Sequence, residues 1–256
     1  MTGELQVYFI TERGKHMSYH YVFDLHTHTI ASGHAYNTLR EMAQAAADKG
    51  LELLGITEHA PAMPGTCHKF HFHNLKVVPR ELYGVKLLLG SEVNIMDADG
   101  TLDLHEKTMA GLDVIIASLH TPCMKPGTRE ENTQAVINAI RNPHVNIIGH
   151  PDDGRYELDY PAVVQAAKEY GKVLELNNHS MDPECTRQNG RENDTIILNL
   201  CKQYRVPVVM SSDAHFDTLI AGFDNCIELL TELDFPEELV LNRSVEALRG
   251  HINRNL

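Results

Sequence analysis

From Tyr21 onward the chain alternates short apolar runs with longer amphipathic ones. The runs Tyr21–Leu25, Leu53–Thr57, Leu87–Gly90, Val114–Ser118, Val145–Ile148, Val173–Leu176 and Val206–Met210 have strand length and little polar interruption. Most are followed by a stretch with helical spacing. Leu39–Lys49 is Ala-rich and ends at Gly50, Glu130–Arg141 stops before Pro143, and Pro161–Tyr170 ends at Gly171. Asp194–Gln203, Asp224–Leu233 and Ser244–Ile252 read as further helices, the last with Ser244 as N-cap. Ala60–Arg80 reads as an irregular loop rich in Pro, Gly and His.

Continuous apolar strands separated by helices predict a parallel sheet covered on its faces. Seven such strands in an α/β chain fit a closed or nearly closed, TIM-like barrel. No linker, repeat or low-complexity stretch divides the chain, so residues 20–256 read as one domain. Residues 1–19 carry no strand or helix period and read as an N-terminal extension of unknown role.

Composition narrows the function. The chain has 256 residues, enough for a full core without disulfide or metal staples. Its formal charge is −13, which repels phosphate backbones and anionic membranes, so nucleic acid is an unexpected partner. Five cysteines at wide spacing, without a C-x-x-C, suggest reduced thiols in the cytoplasm. No apolar run approaches membrane-spanning length and no secretory signal pattern is visible, so no membrane association is expected.

The chain also carries 16 histidines, and their positions matter more than their number. His26 and His28 follow the first strand, with His34 soon after. His59 follows the second strand, Glu92 the third, His120 the fourth and His150 the fifth. Asn177, Asn178 and His179 follow the sixth, and Asp213 and His215 the seventh. In a parallel barrel all of these lie at the C-terminal mouth, where barrel enzymes keep their chemistry. A lone strand-end histidine is ordinarily a packing or hydrogen-bonding residue. Six of seven strands delivering imidazole or carboxylate to one mouth is a metal-site pattern. Nine ligands exceed the need of one ion, so two or three ions are expected. Imidazole and carboxylate without thiolate suit zinc, manganese or iron, and Cys67 and Cys123 are not expected to ligate. His16, His20, His105, His144 and His251 follow no core strand and read as ordinary polar residues.

The ordered series Asp24-Leu-His-Thr-His-Thr29, Thr57-Glu-His59, Gly90-Ser-Glu92, Ser118-Leu-His120, Gly149-His-Pro151 and Ser212-Asp-Ala-His215 resembles the polymerase-and-histidinol-phosphatase (PHP) family. Ile30-Ala-Ser-Gly-His-Ala-Tyr36, Asn132-Thr-Gln-Ala135 and Glu175-Leu-Asn-Asn178 resemble its YcdX-type phosphatases most. The resemblance spans Asp24 to Arg249 and implies a distorted (β/α)7 barrel with three divalent ions, zinc first among them. By that resemblance His26, His28, Glu92 and Asp213 hold one ion. Glu92 bridges to a second with His120 and His150, and His34, His59 and His215 hold the third. Catalytic roles fall to Glu92, Asp213 and His215. The resemblance also implies a homo-oligomer.

Such a cluster would trap a small phosphate monoester, and a metal-bound hydroxide would attack phosphorus in line. His179 stands where the resemblance leads one to expect a small polar residue. With His71 of the His68–His73 loop and Arg155, it is a candidate substrate contact. Three rival readings remain. An amidohydrolase-type C–N or ester hydrolase shares the opening H-x-H, but no Lys ends an apolar strand here. A 3′-exonuclease on DNA fits poorly with the acidic charge. A non-catalytic metal-binding protein would use the same ligands.

Overall fold

A computed structural model describes residues 19–254, together with a two-residue antiparallel pairing of Phe9–Ile10 with His16–Met17. Apart from that pairing and Tyr19, the extension expected at residues 1–19 lies outside the described residues. Tyr19 itself is buried, with its hydroxyl 2.6 Å from the Phe235 carbonyl and 3.1 Å from that of Leu230, so the packed body begins at least there.

Seven parallel strands form the sheet: β1 (Phe23–Asp24), β2 (Leu53–His59), β3 (Val85–Asn94), β4 (Ile115–Ser118), β5 (Ile147–Ile148), β6 (Val173–Asn177) and β7 (Val208–Ser211). They pair in chain order from β1 to β7, and the short strand Glu81–Leu82 adds antiparallel to β3. Between the ends of the series, among the described residues, there is no ladder but a parallel bridge between Thr27 and Ala214, with the His28 N–H donating to the Ala214 carbonyl at 2.9 Å. Asn242 spans the same seam further down. Its side-chain amide donates to the carbonyls of Phe23 (3.1 Å) and Met210 (2.9 Å), and its side-chain oxygen accepts from the Met210 N–H at 2.7 Å. The sheet is thus a nearly closed, distorted (β/α)7 barrel.

Side chains along a strand alternate between faces. Leu53, Leu88, Ile116, Ile147, Val173 and Val209 fill the interior. Leu54, Ile56, Leu87, Leu89, Ile115 and Ala117 face outward and pack against the helices. The C-terminal residues Leu241, Leu248 and Ile252 join the interior cluster. Asn253 donates to the Asp113 carbonyl, just ahead of β4, so this segment closes the N-terminal end of the barrel.

The helices are α1 (Leu39–Asp48), α2 (Phe70–Asn74), α3 (Glu106–Met109), α4 (Arg129–Arg141), α5 (Tyr160–Tyr170), α6 (Gly190–Tyr204), α7 (Asp224–Glu232) and α8 (Val245–Leu248). Thr38 with Glu41, and Thr128 with Glu131, form reciprocal capping boxes at the starts of α1 and α4. Several elements differ from the sequence reading. β3 continues through Ser91–Asn94, because its last inward positions face a polar site and break the apolar run. α2 and α3 are too short to show a helical period. Ser244 caps α8, accepting from the Ala247 N–H at 3.1 Å, but the helix ends at Leu248, just ahead of Gly250 at φ +84°.

Candidate metal centre

The period-2 rule that sends Leu88 inward also sends Glu92 inward, two residues past Gly90. In the same way it points His59, His120 and Asp213 toward the axis. Register does the rest: His59 on β2 lies directly opposite Glu92 on β3. The Glu92 carboxylate is fully buried and faces five imidazoles. Its Oε1 lies 3.0 Å from His150 Nε2 and 3.2 Å from His120 Nε2. Its Oε2 lies 2.7 Å from His59 Nδ1, 3.3 Å from His26 Nε2 and 3.6 Å from His28 Nε2. Asp213 Oδ1 lies 3.4 Å from His28 Nε2 and 3.6 Å from His26 Nε2. His34 stacks on His59 and His215 with ring centroids 4.8 Å from each.

Three donor groups draw within 4.8 Å: His26, His28 and Glu92; His59, Glu92 and His120; and His28, His59 and His215.

Hydrogen-bond accounting fixes several ring tautomers. His26 Nδ1 donates to Glu175 Oε1 at 2.7 Å, which turns Nε2 toward the centre. The Ser32 hydroxyl donates to Glu58 Oε2 at 2.6 Å and accepts from the His59 N–H at 3.0 Å. Its remaining lone pair accepts from His28 Nδ1, also at 3.0 Å, so His28 Nε2 is bare. Asn94 donates through its amide nitrogen to Asp103, so its oxygen accepts from His120 Nδ1 at 2.7 Å. His215 Nδ1 donates to the Asp213 carbonyl at 2.9 Å. The inward Nε2 atoms of His26, His28 and His215 are buried without a hydrogen-bond partner, as is Glu92 Oε2. Buried polar atoms ordinarily have partners, so converging orphans mark a place built for a cation.

Backbone strain gathers here too. His150 and Asp213 sit at φ 29° and 56°, in the left-handed region that non-glycine residues seldom enter. Gly149 must be glycine, because a Cβ there would stand 2.2 Å from Ser118 Oγ. Its absence lets the His150 N–H donate to Glu175 Oε2 at 2.7 Å.

Burial disfavours the charged form of every group at the site, and neighbours decide the outcome. Burial works against charge on His26, yet Glu175, Glu92 and Asp213 hold its pKa well above the ordinary value. Burial also opposes ionisation of Glu92 and Asp213. The imidazoles around Glu92, and His26 with Arg187 beside Asp213, nevertheless hold both carboxyls well below the usual range. Burial and the neighbouring His59 and His215 lower His34 to about 4, so its ring is neutral and able to ligate.

The PHP-domain family model matches residues 24–182, more than half of the chain. The chain belongs to the PHP-domain family. A relative from Acetivibrio thermocellus, named a probable phosphatase, is 47% identical over 91% of this chain and 96% of its own length. A second probable phosphatase, from Caldicellulosiruptor saccharolyticus, is 49% identical over 87% of this chain and 92% of its own. Among solved structures, the histidinol phosphate phosphatase of Lactococcus lactis, determined with zinc, L-histidinol and phosphate, superposes with a TM-score of 0.57. The two share 18% identity, over 84% of this chain and 94% of that one, so the likeness is one of fold.

In this PHP domain all nine sequence-predicted ligands meet at one mouth. The donor groups differ from the predicted sets: His28 takes the place of His34 beside His59 and His215, His59 joins Glu92 and His120 in place of His150, and His34, His150 and Asp213 stand nearby but outside the three groups. The predicted substrate contacts fare differently. His179 stands beside the site, its Nδ1 3.0 Å from Asp182 Oδ2. Arg155 is turned onto Asp153, its Nε bonded to both carboxylate oxygens at 3.0 and 2.9 Å. His71 packs edge-on against Phe72 in α2 and joins none of the donor groups. His20, His105, His144 and His251 are likewise outside those groups, and the His16 side chain lies outside the described residues. Cys123 is pushed up to about 11 by burial, with Asp103 and Glu92 adding to the effect, and it joins none of the donor groups.

Sequence reasoning gave no role to Ser32, Asn94, Glu175 or Arg187. Glu175 occupies an inward position on β6, two past Val173, and holds both His26 and His150. The same alternation that exposed Glu92 would have found it. Arg187 sits in the loop before α6. Its guanidinium donates to Asp213 Oδ2 at 2.8 Å and to Asn177 and Ser180, each at 3.1 Å. No periodic signal announces it.

Proposed function

We propose that the chain is a metal-dependent phosphoesterase that hydrolyses small phosphate monoesters in the cytoplasm. The observation that carries this reading is the convergence of orphaned imidazole and carboxylate lone pairs around Glu92 in a PHP fold. The names of its relatives support the activity, and the five free cysteines support a reducing compartment.

The donor set fits divalent cations. It offers nitrogen and carboxylate oxygen, it is buried, and its tautomers leave lone pairs facing inward. Three ions, zinc first among them, are our count: His26, His28, Glu92 and Asp213 for one, Glu92, His120 and His150 for the second, His34, His59 and His215 for the third. Such ions, when bound, polarise a phosphoryl oxygen and lower the pKa of water. The chain's own residues do the rest. Glu175 and Ser32 fix the rings of His26 and His28, and Asn94 fixes His120. Arg187 holds Asp213 and adds positive charge beside it. His179, raised to about 9 by the Cys185 sulfur against the cost of burial and further by Asp182, is protonated at neutral pH. It presents a cation to an anionic substrate.

The test is hydrolysis of p-nitrophenyl phosphate by metal-loaded protein, with elemental analysis of the same sample. Chelator-sensitive turnover with about three ions per chain is expected. Turnover on a 3′-labelled oligonucleotide but on no monoester would overturn the substrate class.

A further inference from the structure

A cavity of about 860 Å³ opens on the flank of the barrel, away from the mouth. It exists because the connections on either side of β3 supply only α2 and α3, of five and four residues. Two such helices do not cover the outer face of a long strand. Phe72, Leu75, Leu89 and Leu104 form an apolar floor, all of them buried side chains. The rim is basic: Lys69, His73, Lys76, Arg80, His105 and Lys107. None of the nine candidate metal ligands lines it.

This charge runs against that of the whole chain, which is −13. Lys69, Lys76 and Lys107 have no carboxylate within salt-bridge distance among the described residues, and all three are exposed. Arg80 alone is anchored, to Asp113. The one acid of the lining, Asp103, has its oxygens taken. Oδ1 accepts from the Asn94 N–H at 2.8 Å, and Oδ2 accepts from the Asn94 side chain at 2.6 Å and the Ala62 N–H at 2.8 Å.

We propose that this groove is a second binding site, for a small organic anion with an apolar body. The volume lies in the range of small-molecule pockets, about 300–1,000 Å³. The floor takes the body, and three unpaired ammonium groups take the charge. One hydrogen-bonded relay links the groove to the metal centre. Asp103 grips Asn94, whose side-chain oxygen accepts from His120 Nδ1 at 2.7 Å. An anion beside Asp103 therefore acts on the orientation of His120 through a single intervening side chain.

The probe is 8-anilinonaphthalene-1-sulfonate, an aromatic anion with no phosphate ester, titrated by fluorescence into the full-length chain. The double variant Lys76→Glu/Lys107→Glu is expected to weaken binding about tenfold or more at unchanged Tm. Both side chains are exposed, and Lys76→Gln/Lys107→Gln serves as a milder second pair expected to lose less. Glu92→Gln is expected to bind the probe as the parent does. Equal binding by both lysine pairs, or loss of binding in Glu92→Gln, would overturn the proposal. Loss of probe binding with rising protein concentration would assign the groove to a second copy and also overturn it.

The link through Asp103 has its own readout, which rests on the phosphoesterase reading. Saturating probe is expected to change p-nitrophenyl phosphate turnover in the parent but not in the lysine double variant. An unchanged parental rate would refute the link. Absence of turnover before probe is added would count against the phosphoesterase reading and leave the fluorescence result standing.

Discussion

Glu175→Gln is the most informative single change, because it keeps the shape and removes one lone-pair system. Glu175 Oε1 accepts from His26 Nδ1 at 2.7 Å, and Oε2 accepts from the His150 N–H at 2.7 Å and Asn177 Nδ2 at 3.1 Å. A glutamine has one acceptor and one donor. If its NH2 faces His150, three donors meet. If it faces His26, the imidazole must move its proton to Nε2, and the lone pair aimed at the centre is lost. Either way a charge-assisted buried hydrogen bond disappears, at about 1.5–3 kcal/mol. At about 1.4 kcal/mol per tenfold, that is about 10- to 150-fold in affinity. It agrees with the roughly 10- to 100-fold seen when a partner behind a metal ligand is removed. Zinc affinity, measured by competition against a chromophoric chelator, is expected to fall by that factor while the protein stays folded. Parental zinc affinity in a folded Glu175→Gln variant would refute the tautomer argument.

Three further outcomes are expected. Glu92→Ala loses bound metal and hydrolysis together, read by elemental analysis and phosphate release. Gly149→Ala forces a methyl group against Ser118 and Ile116, and overpacking of about 1–3 kcal/mol lowers Tm by several degrees in a thermal melt. His179 has a folded pKa of about 9, above its ordinary value near 6.5. Its contribution to stability is therefore complete below about pH 6.5 and lost as pH rises through about 9. Melts from pH 6 to 10 are expected to converge with those of His179→Gln at the alkaline end.

Much of the barrel and its mouth was legible because strand-end position is a one-dimensional signal. Seven of the nine ligands follow an apolar run by one to three residues, His34 and His215 lying further on, so the chain order alone gathers His26, His59, His120 and Asp213. Glu175 escaped because it lies inside a run that reads as apolar, and only the two-residue alternation separates it from Leu174 and Leu176. Arg187 escaped because loop geometry has no period. The pairing of Arg155 with Asp153 was not legible either: a local bidentate pair is indistinguishable in sequence from an arginine aimed at a ligand. The helices α2 and α3 are shorter than the window in which a helical period can be recognised.

The seam between β1 and β7 has a consequence for the life of the chain on the ribosome. His26 and His28 are made early, while Asp213 and His215 arrive only with the last strand. Glu92, His120 and His150 come from adjacent strands in between and can assemble sooner. A cation site built from both His26 and Asp213, as proposed, would be complete only after β7 has been made. An ion held by both residues, as proposed, would join the two ends of the sheet where backbone pairing is sparse.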